Sequence, residues 1–173
     1  MPTTLAAKLA RIELLCLDVD GVLTDGTIYY SSNGDELKAF NTQDGSALKR
    51  LQASGVTLAI ISGRSSAMVR RRATELGITH LYEGSEDKLP ALSDLSATTG
   101  IDVTNMAHIG DDIADIALFA AVGCALAVAD AHPEVRASAD LVASLPGGRG
   151  AVRELADAIT AARTASNASP DVG

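Results

Sequence analysis

Short apolar runs alternate with stretches of helical spacing along most of this chain. Residues 12–17 form the first apolar run and lead into acids; further runs cover residues 56–61, 79–82, 106–109 and 124–128, and residues 140–143 add an edge strand. Between them, residues 46–54, 65–76, 88–99 and 113–121 repeat apolar side chains at intervals of three and four, the spacing that gives a helix one buried stripe. Gly55 and Gly77 stand where a left-handed residue ends a helix. Strands separated by helices of this length need right-handed crossovers, which place helices on both faces of a parallel sheet. The predicted fold class is α/β, a doubly wound parallel sheet.

Residues 26–40 break the alternation. Thr27-Ile28-Tyr29-Tyr30 and the run from Asp35 to Phe40 flank Ser-Ser-Asn33-Gly34, and Asn-Gly between strand-like runs is a strong hairpin signal. A hairpin placed directly after the first strand projects over the carboxyl edge of the sheet, where open α/β sheets bind ligands. It is a flap, too small to be a lid domain. The expected organisation is one domain over residues 1–163 without a separate cap, followed by a small, polar, mobile tail over residues 164–173.

Composition narrows the setting. A length of 173 residues suits one domain, and 47% hydrophobic against 21% charged residues excludes disorder for most of it. The formal net charge of −8 argues against a nucleic-acid or anionic-membrane binder. Cys16 and Cys124 each lie inside an apolar run, so buried free thiols and a reducing compartment are expected, with no disulfide. The longest apolar stretch, residues 116–129, is shorter than the roughly 18 residues of a membrane span, and Gly123 splits it into a helix end and a strand. Residues 1–11 carry no long apolar segment of secretory type, so a cytoplasmic location is expected.

Polar groups with chemical potential gather at the ends of the predicted strands. Asp18 and Asp20 close the first, Ser62-Gly63-Arg64 the second, Lys88 follows the third, and Gly110-Asp111-Asp112-Ile-Ala-Asp115 closes the fourth. Singly, each has an ordinary explanation as a turn residue, a helix N-cap or a solvated lysine. Together, at successive strand ends, they face one crevice. Converging carboxylates repel unless a cation lies among them, and oxygen ligands without a His or Cys cluster point to Mg²⁺, which binds carboxylates, water and substrate phosphate. Asp18 is then a candidate carboxylate nucleophile on phosphorus. Asp20, on the same side of an extended strand, is placed to protonate the leaving oxygen and later to activate water. Ser62 and nearby backbone N–H groups, including that of Gly63, suit phosphoryl oxygens, and Lys88 offsets remaining negative charge.

Asp-Val-Asp-Gly-Val-Leu-Thr-Asp, Ser-Gly-Arg, Lys88 and Gly-Asp-Asp-x-x-Asp resemble, in order and spacing, the four motifs of the haloacid dehalogenase superfamily of phosphatases, whose fold is Rossmann-like. The resemblance implies Asp18 as nucleophile, Asp20 as general acid and base, and Ser62 with Lys88 as the phosphate-binding pair. It also implies a metal held by the carboxylates of Asp18 and Asp111 and by the backbone carbonyl of Asp20, with Asp112 and Asp115 as supporting acids. Glu36-Leu-Lys-Ala-Phe-Asn, Leu76-Gly-Ile-Thr-His-Leu-Tyr, Val128-Ala-Asp-Ala-His-Pro and Gly147-Gly-Arg-Gly-Ala-Val-Arg-Glu154 are similar to the subfamily acting on 3-deoxy-D-manno-octulosonate 8-phosphate, a precursor of bacterial lipopolysaccharide. The segment after Arg163 departs from that subfamily's longer C-terminus.

A phosphorylated sugar acid carries a carboxylate as well as phosphate, so cations besides Lys88 are needed. Arg64 is the foremost candidate because a planar fork suits carboxylate and phosphate; Arg72, two helical turns further, and Arg149 in the Gly-rich loop are the others. Arg70 and Arg71 read as a solvated helix face, and His80, His108 and His132 as structural. Two alternatives stay open: a phosphatase of another sugar acid, such as a nine-carbon one, and a receiver-type phosphorylation switch, which the spacing Asp18-Val-Asp20 fits poorly. Without a lid, a small substrate stays open to water on one side. The apolar flap residues Ile28, Tyr29, Tyr30, Leu37 and Phe40 suggest that neighbouring subunits close the site. The resembled subfamily is tetrameric, so a homotetramer with the flap at its interface and residues 147–150 near the same mouth is expected.

Overall fold

Alternation of side chains across a strand explains the middle of the molecule. In β1 (Leu14–Leu17) all four side chains are buried, Leu15 and Leu17 on one face of the sheet and Leu14 and Cys16 on the other, so the strand must be covered on both sides. The computed structural model describes residues 3–168. Its main sheet adds β4 (Thr57–Ser62), β5 (His80–Glu83), β6 (Met106–Gly110), β7 (Cys124–Ala127) and β8 (Leu141–Val142), all parallel. The order across the sheet is β5-β4-β1-β6-β7-β8. Counting these strands along the chain gives 3-2-1-4-5-6, the doubly wound order, with the direction of winding reversing between β1 and β6. The predicted fold class holds.

The helices divide between the two faces. Apolar residues of α1 (Leu5–Ala10), α2 (Thr42–Ala53), α3 (Ala67–Leu76) and α7 (Ala151–Ala168) join one core cluster with Leu15, Leu17 and Ile60. Leu92 and Leu95 of α4 (Leu89–Thr99) and Leu118 of α5 (Ile116–Ala121) join Leu14, Cys16, Ala59 and Ile61 in the other. A short α6 (Pro133–Ser138) is entered through the His132 N-cap. Gly77 caps α3 with φ 71°, and Gly55 follows the end of α2 with φ 92°, both as expected.

The anticipated flap is present: β2 (Tyr29–Tyr30) and β3 (Glu36–Leu37) pair antiparallel, Tyr29 opposite Leu37, around a turn in which Gly34 has φ 85°. One boundary differs from expectation. The helix α7 continues to Ala168, so residues 164–168 extend it rather than begin a loose tail. Arg163 anchors its far end by donating to the carbonyl oxygens of Ile12 and Ser54. The rest of the expected tail, residues 169–173, lies outside the described residues.

Candidate active site

The crevice lies at the carboxyl edge of the sheet, over the reversal between β1 and β6. The β1–β6 ladder runs one residue past β1, the Asp18 amide donating to Ile109 O at 3.1 Å, and this delivers the Asp18 side chain to the edge. Immediately beyond, the amides of Val22, Leu23 and Thr24 all donate to Val19 O, a tight turn that returns the chain across the site. Gly21 makes that turn possible twice over. Its φ of 89° suits glycine, and a Cβ there would stand 2.0 Å from Asp111 Oδ2. The two acidic loops therefore approach as closely as backbone and carboxylate allow.

Asp18, Asp20, Ser62, Gly63, Arg64, Lys88, Asp111, Asp112 and Asp115 line one hollow of about 180 Å³, so the sequence motifs converge as expected. Glu86 and Ala114 complete its wall and carry no signal in the sequence beyond their place beside Lys88 and Asp115. Lys88, just ahead of α4, is buried with its ammonium 2.9 Å from Asp18 Oδ1 and 2.6 Å from Asp115 Oδ1. Burial opposes the lysine's charge, but the two carboxylates outweigh it and raise its pKa above the ordinary value. Ser62 Oγ accepts from the Arg64 amide at 3.3 Å, shaping the loop after β4.

Asp115 has both oxygens engaged. Oδ1 meets Lys88 and also His108 Nε2 at 2.8 Å, while Oδ2 accepts from the amides of Asp111 and Asp112 at 3.0 and 3.2 Å. Burial alone would raise its pKa, yet His108 and then Lys88 hold it well below the usual carboxylate range. Asp112 caps the turn that follows, accepting from the Ile113 amide at 2.8 Å. His108 is thus a support beneath the site, which its lone place in a strand did not reveal.

Asp111 is the opposite case. Its Oδ1 is buried and has no hydrogen-bond partner among the described residues. Burial, then the charges of Asp18 and Asp115, push its pKa up to about 8. Burial likewise raises Asp18, with Asp115 adding to the rise and Lys88 opposing it. Single carboxylate oxygens of Asp18, Asp111 and Asp115 lie within 4.8 Å of one another. With Asp115 saturated by other donors and Asp18 held by Lys88 through one oxygen, Asp18 and Asp111 are the carboxylates left to share a cation, and a hard cation such as Mg²⁺ would satisfy the orphaned Asp111 oxygen.

Asp20 sits at the side of the hollow. Lys38, from the flap, bonds its Oδ1, and Arg64 Nε stands 4.0 Å from its Oδ2. Arg64 also reaches Glu36 Oε1 at 3.5 Å. Lys38 was not anticipated as a site residue: it lies in the Glu36-Leu-Lys-Ala-Phe-Asn stretch, but nothing in that stretch signals a contact with Asp20, from which it is separated by the length of the flap.

Two expected cations are elsewhere. Arg72 donates to Asn41 O at 3.1 Å and lies over the Phe40 ring at 5.7 Å, outside the lining of the catalytic hollow. Arg149 pairs loosely with Asp25 at 3.5 Å and opens on a neighbouring hollow between the flap and the Gly-rich loop, lined also by Tyr29, Phe40 and Asn41. The loop itself packs behind the turn after β1: a Cβ on Gly147 would fall 1.7 Å from Gly21 O. The single subunit therefore brings Arg64 to the mouth, but not Arg72 or Arg149.

Residues 77–152 match the model of the haloacid dehalogenase-like hydrolase family. The 3-deoxy-D-manno-octulosonate 8-phosphate phosphatase of Escherichia coli is 49% identical over 157 residues, covering 91% of this chain and 84% of the relative. The crystal structure of the phosphatase of that name from Yersinia pestis superposes with a TM-score of 0.90 at 47% identity, covering 92% of this chain and 86% of that one. The Moraxella catarrhalis phosphatase, crystallised with a magnesium ion, a phosphate ion and a KDO molecule, gives a TM-score of 0.90 at 45% identity and 94% coverage of both chains.

Proposed function

The chain belongs to the 3-deoxy-D-manno-octulosonate 8-phosphate phosphatase family of haloacid dehalogenase-like hydrolases, and from that membership we propose that it hydrolyses 3-deoxy-D-manno-octulosonate 8-phosphate to the free sugar acid and inorganic phosphate with Mg²⁺. The observation that carries the reading is the pairing in one hollow of a buried carboxylate, Asp18, held by Lys88, with a second carboxyl, Asp20, at its side.

An Asp18 oxygen attacks phosphorus and the bond from phosphorus to the sugar oxygen breaks. Asp20, acting as the general acid, gives a proton to that departing oxygen, and Asp18 is left as an aspartyl phosphate. Asp20, now a carboxylate, takes a proton from water. The water oxygen attacks phosphorus, the bond to Asp18 breaks, and phosphate leaves. Ser62 Oγ and the Gly63 amide hold the phosphoryl oxygens, and Lys88 keeps Asp18 aimed while balancing charge. The carboxylates of Asp18 and Asp111, with the Asp20 carbonyl, would hold Mg²⁺, which when bound neutralises the phosphoryl oxygens against these acids. Asp112 and Asp115 set the geometry of that loop.

The hollow accommodates the phosphoryl end, and the sugar carboxylate lies toward Arg64. Closure of the mouth belongs to a homotetramer, a reading supported by the exposed Tyr29, Tyr30 and Leu37 of the flap. In such an assembly a neighbour is the source of any contact from Arg149, whose side chain is exposed. A cytoplasmic setting goes with two buried free cysteines. Assay of purified protein against a panel of eight- and nine-carbon sugar-acid phosphates, with and without Mg²⁺, tests the reading. Preferred Mg²⁺-dependent turnover of the eight-carbon substrate is expected, and a preference for a nine-carbon acid would reassign the substrate.

A further inference from the structure

Most of the flap faces outward: the side chains of Ile28, Tyr29, Tyr30 and Leu37 are exposed, Tyr30 by 68%. Lys38, directly after β3, does the reverse, with only 1% of its side chain exposed. A covered ammonium needs compensation, and this one has two carboxylates, Asp20 Oδ1 and Glu36 Oε1, the latter at 3.1 Å. Arg64 completes the group, facing Asp20 Oδ2 at 4.0 Å and Glu36 at 3.5 Å, so two acids and two bases alternate around the mouth. Asp20 and Arg64 line the catalytic hollow, whereas Lys38 does not.

We infer that Lys38 is a positioning residue for Asp20: by gripping Oδ1 it aims Oδ2 into the hollow and ties the orientation of the acid–base group to the position of the flap. The inference rests on the proposed phosphatase reaction, in which Asp20 delivers the proton to the leaving oxygen. Lys38 acts through Asp20, since it bonds that carboxyl and does not itself line the hollow. Removing it frees Asp20 Oδ1 and leaves Arg64 as the remaining charged contact of both Asp20 and Glu36, while Asp18, Lys88 and the acidic loop keep their own partners.

The distinguishing property of Asp20 is its dependence on the leaving group, so the test compares two substrates. A sugar phosphate releases an alkoxide that needs a proton; p-nitrophenyl phosphate does not. General acid catalysis contributes about 10²–10⁴-fold, and a misaimed acid loses part of that, so Lys38→Met is expected to lower kcat/KM, which reports formation of the aspartyl phosphate, by about tenfold or more for the sugar phosphate and by about twofold or less for p-nitrophenyl phosphate. In an Asp20→Asn background, Lys38→Met should cost nothing further on either substrate, because the group it positions is already gone. Lys38→Gln carries the same comparison if Lys38→Met does not fold by circular dichroism.

Equal losses on both substrates, no loss on either, or the same loss in the Asp20→Asn background would overturn the positioning role. Such results leave the phosphatase reading intact if wild type turns over both substrates with Mg²⁺ and Asp20→Asn alone shows the leaving-group difference. Wild type inactive on both substrates overturns the two together.

Discussion

His108 Nε2 stands 2.8 Å from Asp115 Oδ1, and both side chains are buried beneath the floor of the crevice. The imidazole is braced from the side by an edge-on Phe119 ring with centroids 5.9 Å apart, so the carboxylate above it has little room to turn. This matters because Asp115 aligns two features at once: Lys88 through one oxygen, and the backbone of the Asp111–Asp112 turn through the other. Orientation of the Asp111–Asp112 turn and of the lysine beside Asp18 thus descends from one buried pair.

Replacing that support with His108→Phe should keep the core filled but remove one partner of a buried carboxylate. The expected cost is about 1–3 kcal/mol of stability, as for an unsatisfied buried polar group. Weaker Mg²⁺ binding, seen as a higher Mg²⁺ concentration for half-maximal activity, should accompany it. Thermal melting and a Mg²⁺ titration of activity check the two effects separately.

Asp18→Asn is nearly isosteric and cannot form the aspartyl phosphate. Turnover should fall by about a thousandfold or more with the fold unchanged, given what loss of a covalent nucleophile costs in other hydrolases. Near-normal turnover, after mass spectrometry excludes deamidation, would remove Asp18 from the nucleophile's role.

The pKa of Asp111 gives a pH dependence with a definite sign. It titrates near about 4 in an unfolded chain and is pushed up to about 8 in the folded, metal-free protein. Between those values the folded state holds a proton that the unfolded state has lost, so this group makes the metal-free protein less stable as pH rises through the window. Mg²⁺ binding near neutral pH should expel that proton. Calorimetry in two buffers of different ionisation enthalpy measures the release, and Asp111→Asn should abolish it along with most Mg²⁺ binding. Asp115, held low, acts oppositely: its contribution is present above the unfolded pKa and is lost on acidification below about 4.

The flap supplies a prediction about assembly. Ile28→Ser with Leu37→Ser removes exposed apolar surface without removing Lys38 or the Tyr30 side chain that contacts Arg64. Light scattering over a dilution series should show the double variant dissociating at concentrations where wild type remains assembled. Its activity on the sugar-acid phosphate should fall in parallel. A wild-type monomer with full specific activity would eliminate closure by a neighbour.

Strand alternation, the hairpin and the four acid- or base-bearing strand ends were legible in the sequence because each depends on residues close together in the chain. Asp18 follows β1 and Asp111 follows β6 by local register, and a parallel sheet necessarily puts such ends on one edge. The continuation of α7 through residues 164–168 escaped that reading, since these turns are small and polar and are tethered through Arg163 to carbonyls more than a hundred residues away. Which cation meets which acid was also a matter of tertiary structure. Arg72 and Arg149 have the right charge, but helix phase turns one toward Phe40 and Asn41 and the loop's path turns the other toward Asp25. Lys38 and His108 carry no sign of their partners in the sequence, yet the fold of the flap lays one on Asp20 and the packing under β6 sets the other on Asp115. Composition and spacing determined that carboxylates would converge; the direction of individual side chains, set by burial and by distant backbone, decided how their charge is balanced.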